Sequence, residues 1–558
     1  MVYKSLETLR KSFCSLRLNY QYLLLISTML FGQNIIERPY DWSGQYGSST
    51  VNNRLFWNTD WSSGPLLFDG TYTFLPMRYG PYIQSNFALL ESNEIPLPQL
   101  QIQDTSSIKS TLDYKIGDYN YDQLAIDIDF KKPNRYSRLY GFKRSYAGRE
   151  GQFFHPEGMI VPMQQTYNVE YGSEHNSWLL NAAAARLITE SGLPDTTLSS
   201  GLFEDEILMA GVLVQSPGDQ IQLTSHLALF QQWRRVNASW YENRKGQYIN
   251  RSYWQSQLNG FKIEEFDLSF GLDLNARTVT MVDTIARQSN WATSYAKVKW
   301  KELNFTYGGS FFDEGGSSRY LSAKYFNSWK NLSINAKYSD QLKPTHFHIW
   351  EANHHDKIER SIIADFSFLA HFKNGKTGLN YYNGASSIRN TKKGTYSAIT
   401  LYGQFDLLKY FSFQGSYALQ RGNYYLSDKV GNRASFQLSI KKDHFFNRFD
   451  LAAKLYGEGL MNREETNLLS PLDGIPLESI VKSSEKLSDI WLLHFDISAT
   501  ISTMTLTWSV KNIFQAIEPV SLNLFPDKEP GDFLVQYHSA FPPMGRMFTF
   551  GIHWTFKN

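Results

Sequence analysis

From about residue 107 onward the sequence alternates apolar and polar residues, in segments of roughly 8 to 15 residues separated by turn residues. Leu124, Ile126, Ile128 and Phe130 alternate with Ala125, Asp127 and Asp129. Ile221, Leu223, Leu227 and Leu229 alternate with Gln222, Thr224, His226 and Ala228. Phe266, Leu268, Phe270, Leu272 and Leu274 alternate with Asp267, Ser269, Gly271 and Asp273. Period 2 places each set on its own face of a strand. A soluble sandwich strand also alternates, so one segment decides little. Roughly twenty in succession, with no helical pattern between them, do not fit a soluble fold.

Composition narrows the class further. A length of 558 residues suggests several soluble domains, but aromatics reach 15% and charged residues only 19%, against about 25% in ordinary globular chains. Beyond the N-terminus there is no apolar run of about 20 residues, which a membrane-spanning helix needs. Large hydrophobes on this scale exclude disorder. With 55 Lys+Arg against 53 Asp+Glu the chain has no nucleic-acid footprint. An all-β, transmembrane antiparallel barrel is what remains.

Link lengths give an independent test. Short links fall at 132–136, 216–219, 259–262, 300–302, 327–331, 374–376, 407–410, 443–447 and 500–502. Longer ones fall at 147–163, 190–205, 235–249, 277–290, 341–358, 460–487 and 513–545. Outer-membrane barrels have this asymmetry, with tight periplasmic turns and long extracellular loops. The tally is about 22 strands, within a range of about 18 to 24. An even number returns both barrel ends to the periplasmic side.

Residues 1–32 read as a secretory signal. Lys4, Arg10, Lys11 and Arg17 form a basic region ahead of the apolar run Tyr22 to Phe31, and Gly32 and Gln33 offer a cleavage point. An uncleaved anchor is the alternative, but the run is short for a span. The only cysteine, Cys14, lies ahead of that run, so neither a lipidated cysteine nor a disulfide framework is expected. Residues 33–106, with Trp42, Trp57 and Trp61 among Gly and Ser, read as ordered irregular chain, either lumenal or a reduced plug. The barrel takes 107–558.

The last segment places Phe548, Phe550, Ile552, Trp554 and Phe556 on one face, alternating with Thr549, Gly551, His553 and Thr555. Gly551, Trp554 and Phe556 resemble the assembly signal read by the barrel-insertion machinery. Thr505 to Phe514, with its Asn512-Ile513-Phe514 corner, and Gly545-Arg546 resemble the closing strands of TonB-dependent receptor barrels. The motif resemblance covers about the last 60 residues, and the strand tally extends it to the barrel. It implies a transport-class outer-membrane protein. The family carries a globular plug larger than 33–106 can supply, so the chain as a whole resembles plug-lacking barrels of Bacteroidota, regarded as transport accessories.

Four of twelve histidines fall within ten residues: His346, His348, His354 and His355, with Glu351 among them. Imidazoles with a carboxylate are ligands for zinc, copper, nickel or iron, and a haem accepts an axial histidine. A solvated loop that binds nothing is the alternative. Glu204-Asp205-Glu206, Glu264-Glu265 and Asp313-Glu314 read as solvated strand ends. Arg234-Arg235, Arg244-Lys245 and Lys392-Lys393 read as loop charge or as lipopolysaccharide contacts. No phosphate loop or nucleophile elbow is present, so no enzyme and no required cofactor are expected. The expectation is a channel, or an accessory to a TonB-dependent uptake system for iron, haem or another metal chelate. The alternative is a platform for surface or periplasmic lipoproteins. A TonB-dependent receptor or a lipoprotein is the expected partner, with outer-membrane lipid around the barrel.

Overall fold

The computed structural model describes residues 106–146, 163–192, 201–218, 221–238, 245–281, 285–313, 316–344, 358–388, 391–424, 431–446, 448–469, 476–535, 543 and 545–557, together with three short N-terminal strands. Those three, β1 (Ile35–Ile36), β2 (Ser48–Val51) and β3 (Arg54–Trp57), form an antiparallel sheet of their own.

The barrel opens with β4 (Ser107–Gly117), β5 (Tyr121–Lys132), β6 (Arg135–Ser145), β7 (Met163–His175), β8 (Trp178–Gly192) and β9 (Gly201–Gln215). It continues through β10 (Gln222–Ala238), β11 (Lys245–Ile263), β12 (Phe266–Met281), β13 (Ile285–Trp300), β14 (Leu303–Phe312) and β15 (Ser317–Trp329). Then come β16 (Leu332–Pro344), β17 (Ile358–Phe372), β18 (Gly375–Ile388), β19 (Thr391–Leu408), β20 (Phe411–Tyr424), β21 (Asn432–Phe445) and β22 (Phe449–Met461). A hairpin of β23 (Arg463–Leu469) and β24 (Pro476–Leu487) stands apart from the barrel ladder. The strands β25 (Ile490–Ile501), β26 (Met504–Lys511) and β27 (Met547–Lys557) complete the circle. Every neighbour is antiparallel, and β27 pairs back onto β4, so 22 strands close with no free edge.

The alternation assigns the faces as the sequence suggested. Phe266, Phe270, Leu272 and Leu274 are exposed on the outside of β12, and Leu223, Leu227 and Leu229 on the outside of β10. Register carries this outer face round the wall: Phe270 lies opposite Ala296, Ala296 opposite Tyr307, and Tyr307 opposite Leu321. Trp178, Trp300, Trp329, Phe372, Tyr410 and Phe446 form an exposed aromatic rim at the end with the tight turns. No described helix is long and apolar enough to cross a membrane. Because cost depends on depth, Leu272→Arg at mid-strand will destabilise the lipid-folded barrel by about 2–4 kcal/mol, against about 0–1 kcal/mol for Leu332→Arg at the rim, as read by urea titration in vesicles.

Ten links gather at the tight-turn end. They include two-residue turns at 133–134, 176–177, 264–265, 301–302, 330–331, 373–374, 409–410 and 502–503. Asn176 and Ser177 both have positive φ (49° and 64°), the twist that a two-residue hairpin needs. One expected turn moves. Asn259–Lys262 lies inside β11, where a bulge with Gly260 at φ 100° shifts the register, and Glu264–Glu265 makes the turn.

The opposite end departs more from expectation. Its links at 118–120, 282–284, 313–316 and 389–390 are as short as turns. The expected loops 190–205, 235–249 and 277–290 contract because the strands beside them run on, β11 to 19 residues and β10 to 17. Residues 460–487 hold the β23–β24 hairpin. The long link expected before β27 opens on two short helices, α1 (Ile513–Ala516) and α2 (Glu518–Leu524).

Candidate functional site

The inner wall carries the chemistry. At the seam where the barrel closes, Tyr456 of β22, Asp496 of β25 and Lys511 of β26 all point inward. The Lys511 ammonium donates to the Tyr456 hydroxyl, which donates to Asp496 Oδ1 at 3.3 Å, and Lys511 Nζ stands 4.0 Å from the same carboxylate. Across the seam, His553 Nδ1 lies 3.7 Å from Asp113 Oδ2. With Lys115, Tyr121, Thr507, Ser509, Thr549 and Gly551 these groups line a cavity of about 380 Å³. Charges of both signs around one cavity suit a polar solute with hydrogen-bonding edges more than a bare ion.

The seam is held from the long-link end. Asn512 sits at φ 54°, in the left-handed region that asparagine tolerates. Its backbone N–H donates to His494 Nδ1 at 2.9 Å, its side-chain oxygen accepts from Gln515 N–H, and its amide donates to Phe533 O at 2.8 Å. His494 is fully buried, and accepting at Nδ1 places its hydrogen on Nε2. Its ring stands 5.1 Å from that of Tyr456.

Further round the wall, Arg138 holds Asp127 through two hydrogen bonds of 2.7 and 2.6 Å and reaches Asp129 at 3.6 Å. Arg433 and Glu458 form a buried ion pair. Arg251 donates to Asn275 Oδ1 at 2.7 Å and lies over the Tyr253 ring. His226 Nδ1 meets Gln255 Oε1 at 3.0 Å. Gly271 gives the Tyr295 ring room to lie flat on the wall, since a Cβ there would stand 2.1 Å from Tyr295 Cζ.

One sector of the inner wall is apolar. Leu187 lies opposite Ile207, Ala185 opposite Met209, Met209 opposite Phe230, and Ala228 opposite Tyr253. All are inward by parity, because Leu180, Val212, Leu227 and Leu229 on the same strands are exposed outside. These inward side chains are buried, Ile207 completely so. A wall facing open water would leave them wet, and a 22-strand barrel is too wide for opposite strands to shield one another.

The residues singled out by sequence divide. His346, His348, Glu351, His354 and His355 lie outside the described residues. Among the described residues no three His, Cys, Asp or Glu side chains come together as a metal site. Trp554 and Phe556 face outward with ring centroids 4.2 Å apart, while Gly551 faces the seam cavity. Glu204 and Glu206 are paired within β9 rather than standing free in a loop: Glu206 takes Arg186 at 2.8 Å and Glu204 faces Arg235 at 3.9 Å. Sequence reasoning missed the Tyr456–Asp496–Lys511 chain, which joins positions 40 and 15 residues apart. Its only signal was inward parity on three late strands.

No protein-family model and no curated protein sequence matches the chain. Solved structures do match in fold. The FrpB iron transporter from Neisseria meningitidis aligns with a TM-score of 0.61 at 10% identity over 81% of each chain. The ferripyoverdine receptor of the outer membrane of Pseudomonas aeruginosa aligns at 0.59 and 11% identity, over 82% of this chain and 73% of that one. The copper transporter OprC aligns at 0.56 and 12% identity, over 82% and 81%. At such identities the likeness is one of fold.

Proposed function

We propose that the chain is a transport-class barrel of the bacterial outer membrane, acting as a channel or as an accessory to a TonB-dependent uptake system for iron, haem or another metal chelate. The observation that carries this reading is a closed 22-strand wall, apolar outside and charged inside. Every backbone N–H and C=O is then paired within lipid, and the lumen offers a polar route. The fold neighbours named as iron, ferripyoverdine and copper proteins support the cargo class. The tight-turn end would face the periplasm and the long-link end the exterior.

The buried apolar sector supports a second element of the reading. Residues 33–106 enter the barrel at Ser107 and are the stretch long enough to cover Leu187, Ile207, Met209 and Phe230. In this reading they seal the lumen after removal of a signal at 1–32. Planar-bilayer recording tests it: the intact chain inserts but stays silent, whereas steady conductance by the intact chain overturns the sealed reading.

The histidine-rich link 345–357 would capture metal or haem at the outer mouth. Replacing His346, His348, His354 and His355 by Ala is expected to lower retained zinc, copper or haem at least tenfold, as read by metal analysis and haem absorbance. Unchanged retention would remove that role and leave the barrel reading standing.

A further inference from the structure

On the outer face of the barrel, at the long-link end, Arg319 of β15 and Arg360 of β17 converge on one buried carboxylate, Asp340 of β16. Arg360 Nε donates to Oδ1 at 2.7 Å and Nη2 to Oδ2 at 2.6 Å, while Arg319 Nε and Nη2 donate to Oδ2 at 3.2 and 3.0 Å. Register fixes the face, because Asp340 lies opposite Leu321 on one side and Ile362 on the other, both in the outward apolar row. Just toward mid-barrel on that row come Ala323, Tyr338, Ala364 and the exposed Phe366. The cluster therefore stands at the boundary between apolar wall and water.

Its charge does not cancel. Two guanidinium groups share one carboxylate, leaving a formal charge of +1. Asp340 is 1% exposed, whereas Arg319 is 56% and Arg360 37% exposed. Each guanidinium has five N–H donors and spends two on Asp340, so three on each remain to face outward. Arg235, flagged by sequence, and its neighbour Arg186 are arranged differently, since each faces its own glutamate. A buried aspartate that orients two half-free guanidinium groups makes a forked receptor for a phosphate.

We infer that Arg319 and Arg360, braced by Asp340, bind a phosphate on the headgroup of an outer-leaflet glycolipid, with its acyl chains lying along Leu321, Ile362 and Phe366. This rests on the outer-membrane reading above, which membrane fractionation tests separately.

The experiment uses the full chain, purified in mild detergent and titrated with rough lipopolysaccharide, with the same glycolipid dephosphorylated, and with inorganic phosphate. Heat-modifiable gel mobility certifies a folded barrel for every variant. The double variant Arg319→Gln with Arg360→Gln should bind the phosphorylated glycolipid at least tenfold more weakly. Lys301→Gln with Lys330→Gln, which removes the same charge at the tight turns of the opposite end, should bind as the parent does. Dephosphorylated glycolipid should bind the parent no better than the double variant binds the phosphorylated form. Equal binding by parent and double variant would overturn the inference, as would an equal loss in the control pair. Competition by millimolar inorganic phosphate, with no preference for the lipid, would overturn the lipid as the source of the phosphate.

Discussion

Deleting residues 33–106 is expected to turn an electrically silent barrel into one with large, steady conductance. The physical ground is the apolar sector formed by Leu187, Ile207, Met209 and Phe230 on a wall that otherwise suits water. Apolar burial stabilises by about 25 cal/mol per Å², so whatever covers these side chains is held there, and its removal wets them. The companion experiment keeps the chain whole and places carboxylates beneath the cover. Ile207→Asp with Phe230→Asp should give frequent openings, because a buried unpaired charge is strongly unfavourable. Single-channel recording of the three proteins, each verified as folded, reads the outcome. Equal conductance by intact and truncated chains would dismiss residues 33–106 as a seal.

Removing β27 is expected to abolish the folded barrel. That strand makes eight register pairs with β26 and nine with β4. Without it both neighbours present unpaired backbone to lipid, at several kcal/mol for each unsatisfied group. A chain ending at 546 should therefore show no heat-modifiable form, either in cells or after refolding into vesicles. Substitution separates the ladder from the signal it carries. Trp554→Ala with Phe556→Ala leaves every backbone pair in place. If these side chains address the insertion machinery, yield in cells falls at least tenfold while refolding in vesicles is little changed. Parallel losses in both settings would assign them to wall stability instead.

The barrel was legible in the sequence because its two faces meet different solvents. Phe266 to Leu274 alternates without error since each odd position faces polar lumen and each even one the apolar exterior. The start at Ser107 and the strand number followed from the same pattern. Turn chemistry was a poorer guide. Asn259-Gly260 is the strongest local hairpin signal in its region, yet the strand pairs on both sides and absorbs the glycine as a bulge, and the turn falls on Glu264, at φ 52°. At the long-link end, strands continued past the apolar belt on polar pairs such as Arg186 with Glu206, which resemble loop in composition.

Sites were less legible than strands. The Arg319–Asp340–Arg360 fork spans three strands at separations of about 20 residues, and only the observed register places the three on one face. The seam cavity depends on closure, which brings Asp113 beside His553 across more than four hundred residues of chain. No local pattern encodes such pairings. The histidine cluster was the reverse case, conspicuous as composition and without any partner that the sequence could name.

Closure of β27 on β4 also fixes where the barrel's two chain ends emerge, with Phe556 opposite Ser110 and Lys557 opposite Lys109 at the tight-turn mouth. A segment leashed at that mouth does not search the solution for its seat. Its effective concentration at the lumen is of the order of millimolar, so an intrinsic affinity near millimolar, about 4 kcal/mol, already occupies the seat half the time. A stopper so held has no need of a large interface. It would also yield to a modest pull from below, so that a leash holding the pore shut would at the same time make it cheap to open.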